Sequence, residues 1–421
     1  MTADQEWRKA RASRFRPDGI IGTPFHGRTA RSSATPWYFN WDLCHVVDVY
    51  DDFHAELGAI RTNVAMGDMS PLCKVLIAGP DSGRLVDWLI TRDTAGLHPG
   101  GIYYTPWCNE DGKLVSDGLL FRTAEDAYLF TGDPSYEWFA SQAEGYDVTV
   151  SDQTDDLGIL AVQGPRSREV MAVATGVDDI EMDFSRLGRF EIGGVEVDVA
   201  RQGFTGEHGY EILTPAGAGD RVWDAVAAAG EPLGIRPCGE WAIDVARVEA
   251  GLLIPGPDYA NGGPDVTGSH TVSASNPEFC SSPFELRMGR FVDFDKGDFV
   301  GRDALVAEQE AGGPPRRMAG LDIDWRAITE AHLERGVAPN VSPRVEWVAK
   351  PVTSEGRTVG RASSVTWGPT VGRLIGFGHL EWDLARPGTR VAVTWEIPGT
   401  GESIPAPATV AELPFLALSR T

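Results

Sequence analysis

The sequence predicts an α+β protein of two related lobes followed by a small β domain. Three observations predict it. First, residues 75–90 ("VLIAGPDSGRLVDWLI") and residues 158–174 ("GILAVQGPRSREVMAVA") share one plan: a short apolar strand, Gly-Pro, then a helical pattern. Second, the stretch between them ("GIYYTPWCNEDGKLVSDGLLFRTAEDAYLFTGD") reads as three strands, with turns at Glu110-Asp111-Gly112 and Ala124-Glu125-Asp126. Third, past a linker at residues 312–315 the chain alternates short apolar runs such as "MAGLDID" and "TRVAVTW" with Gly and Pro, which marks a β-barrel or a jelly-roll-like sandwich.

The elements follow in order. In the first helical pattern Leu85, Trp88 and Leu89 share a face, and Pro80 stands near the start, where its missing N–H costs nothing. After the second strand–turn–helix unit comes "RQGFTGEHGYEIL" (residues 201–213), a glycine-rich turn running into a strand. Glu211 sits in that strand among apolar residues; by itself it reads equally as the solvent face of an edge strand. Helices are expected over "DRVWDAVAAAG", with Gly230 as a C-terminal stop, and over "GEWAIDVARVEAG". Residues 257–283 are polar and aperiodic, a loop long enough to be functional or disordered. A further helix, "GRDALVAEQEAGG", precedes the linker. These boundaries divide the chain into residues 1–62 (an N-terminal extension and the start of the first lobe), 63–311 (the α+β lobes) and 316–421 (the β domain).

Composition narrows the function. The 421 residues carry a net charge of −24, which argues against a nucleic-acid partner, since phosphate binding requires a basic footprint. The five cysteines and eight histidines are dispersed, without metal-ligand spacing, so no metal is expected. No apolar run approaches the length of a membrane helix, and the N-terminus lacks an apolar core, which reads as cytoplasmic. The basic cluster "WRKARASRFR" (residues 7–16) suits either an arm on an acidic surface or a solvated end. Phosphate-loop and dinucleotide fingerprints are absent, as is any Ser-His-Asp order. What remains are carboxylates in strand or turn contexts: Asp117, Glu207 and Glu211.

Four ordered segments carry a resemblance. "YTPWCNEDGKLVSDGLLF", "LAVQGPRS", "RQGFTGEHGYEIL" and "VARVEAGLLIPGPDY" are similar to the signatures of the glycine-cleavage T-protein family of tetrahydrofolate-dependent aminomethyltransferases and demethylases. The likeness continues through "SPFELRMGRFVDFDKGDFVGRDAL" to "VTSEGRTVGRASSVTWGPTVGRLIGFGHL". It implies a three-domain, cloverleaf-like fold with tetrahydrofolate in a central channel. It also implies that Glu211 grips the pterin, whose adjacent N–H and NH₂ groups match a carboxylate fork. Glu207 is the second choice for that role, or a residue that shapes the hairpin. Asp117 is expected near the reactive nitrogens, stabilising positive charge that develops there. Tyr104 and Phe204 (a tyrosine in most relatives) would lie against the folate. Arg247 stabilises Glu249 or the following loop, reaches the cofactor, or pairs locally with Asp244.

Departures from the T-protein pattern guide the finer reading. Pro71 replaces a histidine, Ser116 replaces a second aspartate, Ile243 stands where an arginine is usual, and the loop before Pro283 is long. These point to a demethylase that moves a methyl group from a small O-, N- or S-methylated compound to tetrahydrofolate, giving 5-methyltetrahydrofolate. A lipoyl-carrier partner then becomes unnecessary, and a monomer or homodimer is expected. The alternatives are a T-protein-type aminomethyltransferase acting on a lipoyl-carrier intermediate, and a non-catalytic folate-binding protein. Removing a methyl from oxygen requires an acid, for which Tyr210 is the candidate, provided a bulge near Gly209 turns it to the side of Glu211. A sulfonium or quaternary ammonium donor needs no acid, and the aromatics of "TPWYFNW" (Trp37, Tyr38, Phe39, Trp41) would hold it, unless they are simply packed.

Overall fold

A computed structural model describes residues 22–41, 44–263 and 279–419. The basic cluster at residues 7–16 and most of the polar loop lie outside them. Among the described residues, no helix is long and apolar enough to cross a membrane.

Two sheets and a barrel organise the chain, together with a short hairpin of Tyr38–Trp41 and Cys44–Val47. The first sheet has six strands in the order Leu187–Ile192, Val195–Ala200, Gly209–Pro215, Leu157–Gln163, Ala65–Asp68 and Arg236–Pro237. Only its last pair is parallel. The second has five antiparallel strands, ordered Ile102–Cys108, Leu114–Ala124, Ala127–Gly132, Cys73–Ala78 and Thr149–Asp152. The three strands expected between the repeats are therefore neighbours in one sheet.

The repeat itself is structural. Cys73–Ala78 leads into the helix Ser82–Leu89, and Leu157–Gln163 leads into Ser167–Thr175, one unit in each sheet. Each turn passes through a glycine of positive φ, Gly79 at 136° and Gly164 at 125°, where a Cβ would meet a backbone oxygen at 2.6 Å. No L side chain fits either place, which explains the glycine that both units share.

The C-terminal segment is a closed six-stranded barrel, so the jelly-roll alternative falls. It opens with Arg316–Ile323 and closes through Glu402–Ala411, which pairs back to the opening strand. A helix, Trp325–Glu334, interrupts the strand sequence. Asp324 caps it by accepting from the backbone N–H groups of Arg326 and Ala327. That helix was not expected from the sequence, although Ile328, Ala331 and His332 form a buried face. At Gly230 the chain leaves the helix Gly219–Gly230 as expected, but turns over only at Gly234, the next glycine with positive φ.

Candidate functional site

Glu211 is the place to begin, because the strand Gly209–Pro215 is not an edge. It is hydrogen-bonded on both sides, with Glu211 opposite Ala200 in one neighbour and Ala161 in the other. The solvent-face alternative is thereby excluded. Glu211 is only 6% exposed and turns into a cavity of about 570 Å³ at the meeting of both sheets, the helix Glu240–Glu249 and the barrel. That volume lies within the usual range for small-molecule sites. Among the described residues the carboxylate has no hydrogen-bonding partner, and burial alone raises it to about 7.

The glycines before it also find their reason. Gln163 lies beneath the turn, donating to the carbonyls of Gln202 and Tyr210 and accepting from Thr205. A Cβ at Gly203 would stand 2.0 Å from the Gln163 side chain, and one at Gly209 2.2 Å from it. The glycine pattern lets the turn close on this amide.

Asp117 comes from the other sheet and lines the same cavity. Two phenols hold it: Tyr104 donates to Oδ2 at 2.5 Å, and Tyr259 donates to Oδ1. Burial pushes its carboxyl up to about 6, against the opposing effect of those hydrogen bonds. Tyr104 thus acts as an arm of Asp117 as well as a wall residue, and Phe204 lines the cavity with it. Tyr259 received no role from the sequence, although it is the last residue of the quoted segment "VARVEAGLLIPGPDY"; nothing local tells a buried strand tyrosine from one aimed at a carboxylate.

One catalytic expectation does not hold, and two binding expectations resolve to their alternatives. Tyr210 lies on the far face of its strand, 1% exposed and packed with Leu160, Val162 and Ile212. Its hydroxyl reaches the carbonyl of Ile180 at 3.4 Å. The register through Gly209 and Tyr210 is regular, so the bulge that would have turned it to the cavity is absent. Glu207 also lies off the cavity: it pairs with Arg61 at 3.0 Å and accepts from Ser419, tying the turn to the C-terminal segment. Arg247 touches the cavity, and four of its five donors are engaged by protein: Asp244 at 2.8 Å, Asp258 at 2.6 Å, Ser364 at 2.8 Å and the Leu252 carbonyl. The alternatives observed are the local pair with Asp244 and the hold on the following loop.

Removing the Tyr210 hydroxyl should therefore leave chemistry alone. Tyr210→Phe is expected to keep full turnover and cofactor affinity and to lose about 1 kcal/mol of stability, the scale of one hydrogen bond. A large fall in turnover at unchanged melting temperature would restore its catalytic role.

Cations were missed. Arg92, Arg287 and Arg290 line the cavity around Phe291. The Arg92 guanidinium lies 3.7 Å above the Tyr103 ring, and that of Arg290 lies 4.5 Å from the Phe291 centroid. Arg287 is held at a φ of 64°, a conformation that a non-glycine residue adopts at a cost. Both Arg287 and Arg290 stand in "SPFELRMGRF", where nothing in the spacing marks them as neighbours of Arg92. Of the N-terminal aromatics, Phe39 and Trp41 line the cavity, with Trp347 packed edge-on to Phe39 at 5.6 Å. Trp37 and Tyr38 are exposed.

The residues fit tetrahydrofolate. An unpartnered carboxylate suits the paired donors of a pterin, and three arginines suit the carboxylates of a glutamyl tail.

Comparison with known proteins gives the family. The GCVT N-terminal domain matches residues 28–263, and the glycine cleavage T-protein C-terminal barrel domain matches residues 336–416. A probable aminomethyltransferase of Halobacterium salinarum is 33% identical, covering 94% of this chain and 99% of its own. The aminomethyltransferase of Moorella thermoacetica is 31% identical over 88% of this chain and 93% of its own. The glycine cleavage system aminomethyltransferase T of Bartonella henselae shares the fold, with a TM-score of 0.78 at 20% identity over 95% of this chain and 99% of its own. These names fit the aminomethyltransferase alternative better than the demethylase reading.

Proposed function

The chain belongs to the glycine-cleavage T-protein family, and we propose that it moves a one-carbon unit from a nitrogen-bearing donor to tetrahydrofolate, as an aminomethyltransferase. A folate-dependent transferase is what family membership supports; the donor is the proposed part. The observation that carries the reading is Glu211, with no hydrogen-bonding partner among the described residues, facing one cavity together with Asp117, which two phenols hold.

When bound, the cofactor supplies the nitrogen that accepts the carbon. The chain's own residues do the rest. Glu211 fixes the pterin's orientation through a fork of two charge-assisted hydrogen bonds. Asp117, below the pH of neutral solution in its titration, offers a negative charge where positive charge develops. The arginines hold the tail, and the apolar wall of Phe204, Leu119 and Phe291 keeps water from the reacting atoms.

Demethylation is the second reading, favoured by Phe39, Trp41 and Trp347 in the cavity wall, which suit a methylated cation. Loss of Tyr210 as an acid weighs against oxygen as the leaving atom unless another group supplies the proton. The proposal that no carrier is needed finds no support in the relatives, so the carrier belongs in the test. Wild-type protein with tetrahydrofolate should be offered a lipoyl-carrier protein bearing the aminomethyl group, and separately a panel of methylamines, betaines, sulfonium compounds and methoxyaromatics. Formation of 5,10-methylenetetrahydrofolate with the carrier alone supports aminomethyl transfer. Formation of 5-methyltetrahydrofolate from a free donor replaces it with demethylation.

A further inference from the structure

Asp133 received no role from the sequence, and the fold puts it opposite Asp117. The strand Ala127–Gly132 ends one residue before it, and Gly132 pairs with Gly118, the residue after Asp117. In an antiparallel pair that register, carried one step further, sets residue 133 across from residue 117 on the same face. Both aspartates line the cavity.

The two glycines between them are required by the packing. A Cβ at Gly118 would lie 2.1 Å from the Thr131 carbonyl oxygen, and one at Gly132 would lie 2.8 Å from that of Asp117. The two strands approach closely here, which keeps residues 117 and 133 directly opposite each other. Like charges directly opposite on a sheet face repel. Such a pair keeps a proton between its members, and the surroundings decide which one holds it. Asp117 accepts hydrogen bonds from Tyr104 and Tyr259, which favour its ionised form. The Asp133 carboxyl has no such donor among the described residues. Burial and the charge of Asp117 push it up to about 7. The titratable groups that bear on it are Asp117 and, through its phenol, Tyr259.

Of the other carboxyls of the cavity, Glu240 lies 4.0 Å from Arg344, on the side of the cavity away from the Asp117 sheet. Asp244 is bound by Arg247 and by the Trp347 indole at 2.9 Å, and Glu211 faces the space assigned to the pterin. The acid that the chemistry requires is absent at Tyr210, and Asp133, facing Asp117 across the strand pair, is placed to supply it.

We propose that Asp133 is a catalytic residue: its carboxyl delivers the proton to the atom that releases the one-carbon unit, while Asp117 opposite takes up the proton displaced from the acceptor. This rests on the one-carbon-transfer reading. In the step, the bond from carbon to the leaving atom breaks with its electron pair on that atom, which takes the Asp133 proton. The acceptor nitrogen's lone pair forms the new bond, and its proton passes to Asp117. The carboxyl pair begins and ends with one proton, and nothing is oxidised or reduced.

The test uses Asp133→Asn in the full chain. Carbon-13 NMR of labelled aspartate carboxyls should show, in the wild type, a group titrating near 7 that vanishes in the variant. Asp117 should still titrate near 6, because Asp133 is protonated where Asp117 ionises. With the donor that supports turnover in the wild type, turnover at neutral pH should fall roughly 10²-fold or more, the scale of a lost general acid. Tetrahydrofolate affinity by calorimetry should stay within about threefold, because the grip lies at Glu211; a merely structural role would move melting temperature instead. An Asp133 carboxyl ionised below pH 5, or an Asp133→Asn enzyme as fast as the wild type, overturns the proposal alone. A wild type that binds no tetrahydrofolate and yields no one-carbon product with any donor overturns the transfer reading beneath it as well.

Discussion

Asp117→Asn is expected to lower turnover roughly 10²–10³-fold, the scale of losing one preorganised electrostatic partner, while leaving tetrahydrofolate affinity nearly unchanged. The reason is where its charge acts. Positive charge on the acceptor exists mainly in the transition state, so the interaction lowers the barrier more than it strengthens binding. Tyr104 and Tyr259 hold the carboxyl in place, and their hydroxyls can turn to meet an amide, so the fold should survive the change. Turnover, affinity and melting temperature measured on one preparation decide the matter. A stable, folate-binding Asp117→Asn protein with full turnover would remove the residue from the mechanism, and a loss confined to melting temperature would make it structural.

Arg247→Met should act on the other axis. The guanidinium is 1% exposed and bridges Asp244 and Asp258, two carboxylates that are also buried. Removing the cation leaves both without their counter-charge, and breaking a buried ion pair in this way costs about 3–5 kcal/mol. The aliphatic stem keeps its packing in methionine, so the loss reports charge and hydrogen bonds rather than volume. Adding Asp258→Asn should restore part of the stability, since one uncompensated charge then disappears; denaturant midpoints on the single and double variants measure this. A small stability loss joined to a large fall in tetrahydrofolate affinity would instead return Arg247 to the cofactor.

How much of this was legible in the sequence follows from what is local. The strand–Gly-Pro–helix repeat and the three strands between its copies carry their signals within a few residues, and both appear in the structure. The C-terminal β domain was legible as a class, but closure into a barrel depends on Glu402–Ala411 finding Arg316–Ile323, a pairing with no local signature. Glu211 and Asp117 were reached through the resemblance, because a single carboxylate in a strand does not say which face is buried. Tyr210 was misjudged for the opposite reason. Strand alternation already placed it away from Glu211, and the bulge needed to overturn that alternation is not there. Arg92, Arg287, Arg290 and Asp133 were out of reach, since their meeting at one cavity is set by packing of distant segments.

The central claim is that the cavity binds folate through Glu211, and calorimetry with tetrahydrofolate on wild type and Glu211→Gln tests it most directly. The amide keeps the shape but sets a donor against the pterin's own donors. Affinity should fall by about 1.5–3 kcal/mol, roughly 10- to 150-fold. The pH dependence supplies a second signature on the same instrument. With its carboxyl at about 7 in the free protein, Glu211 must shed a proton to bind below that pH. Wild-type affinity should thus hold steady above neutrality and weaken by up to about tenfold for each unit of acidification below it. In Glu211→Gln that slope should flatten. Unchanged affinity in Glu211→Gln, or an equal loss in Glu207→Gln alone, would contradict the assignment.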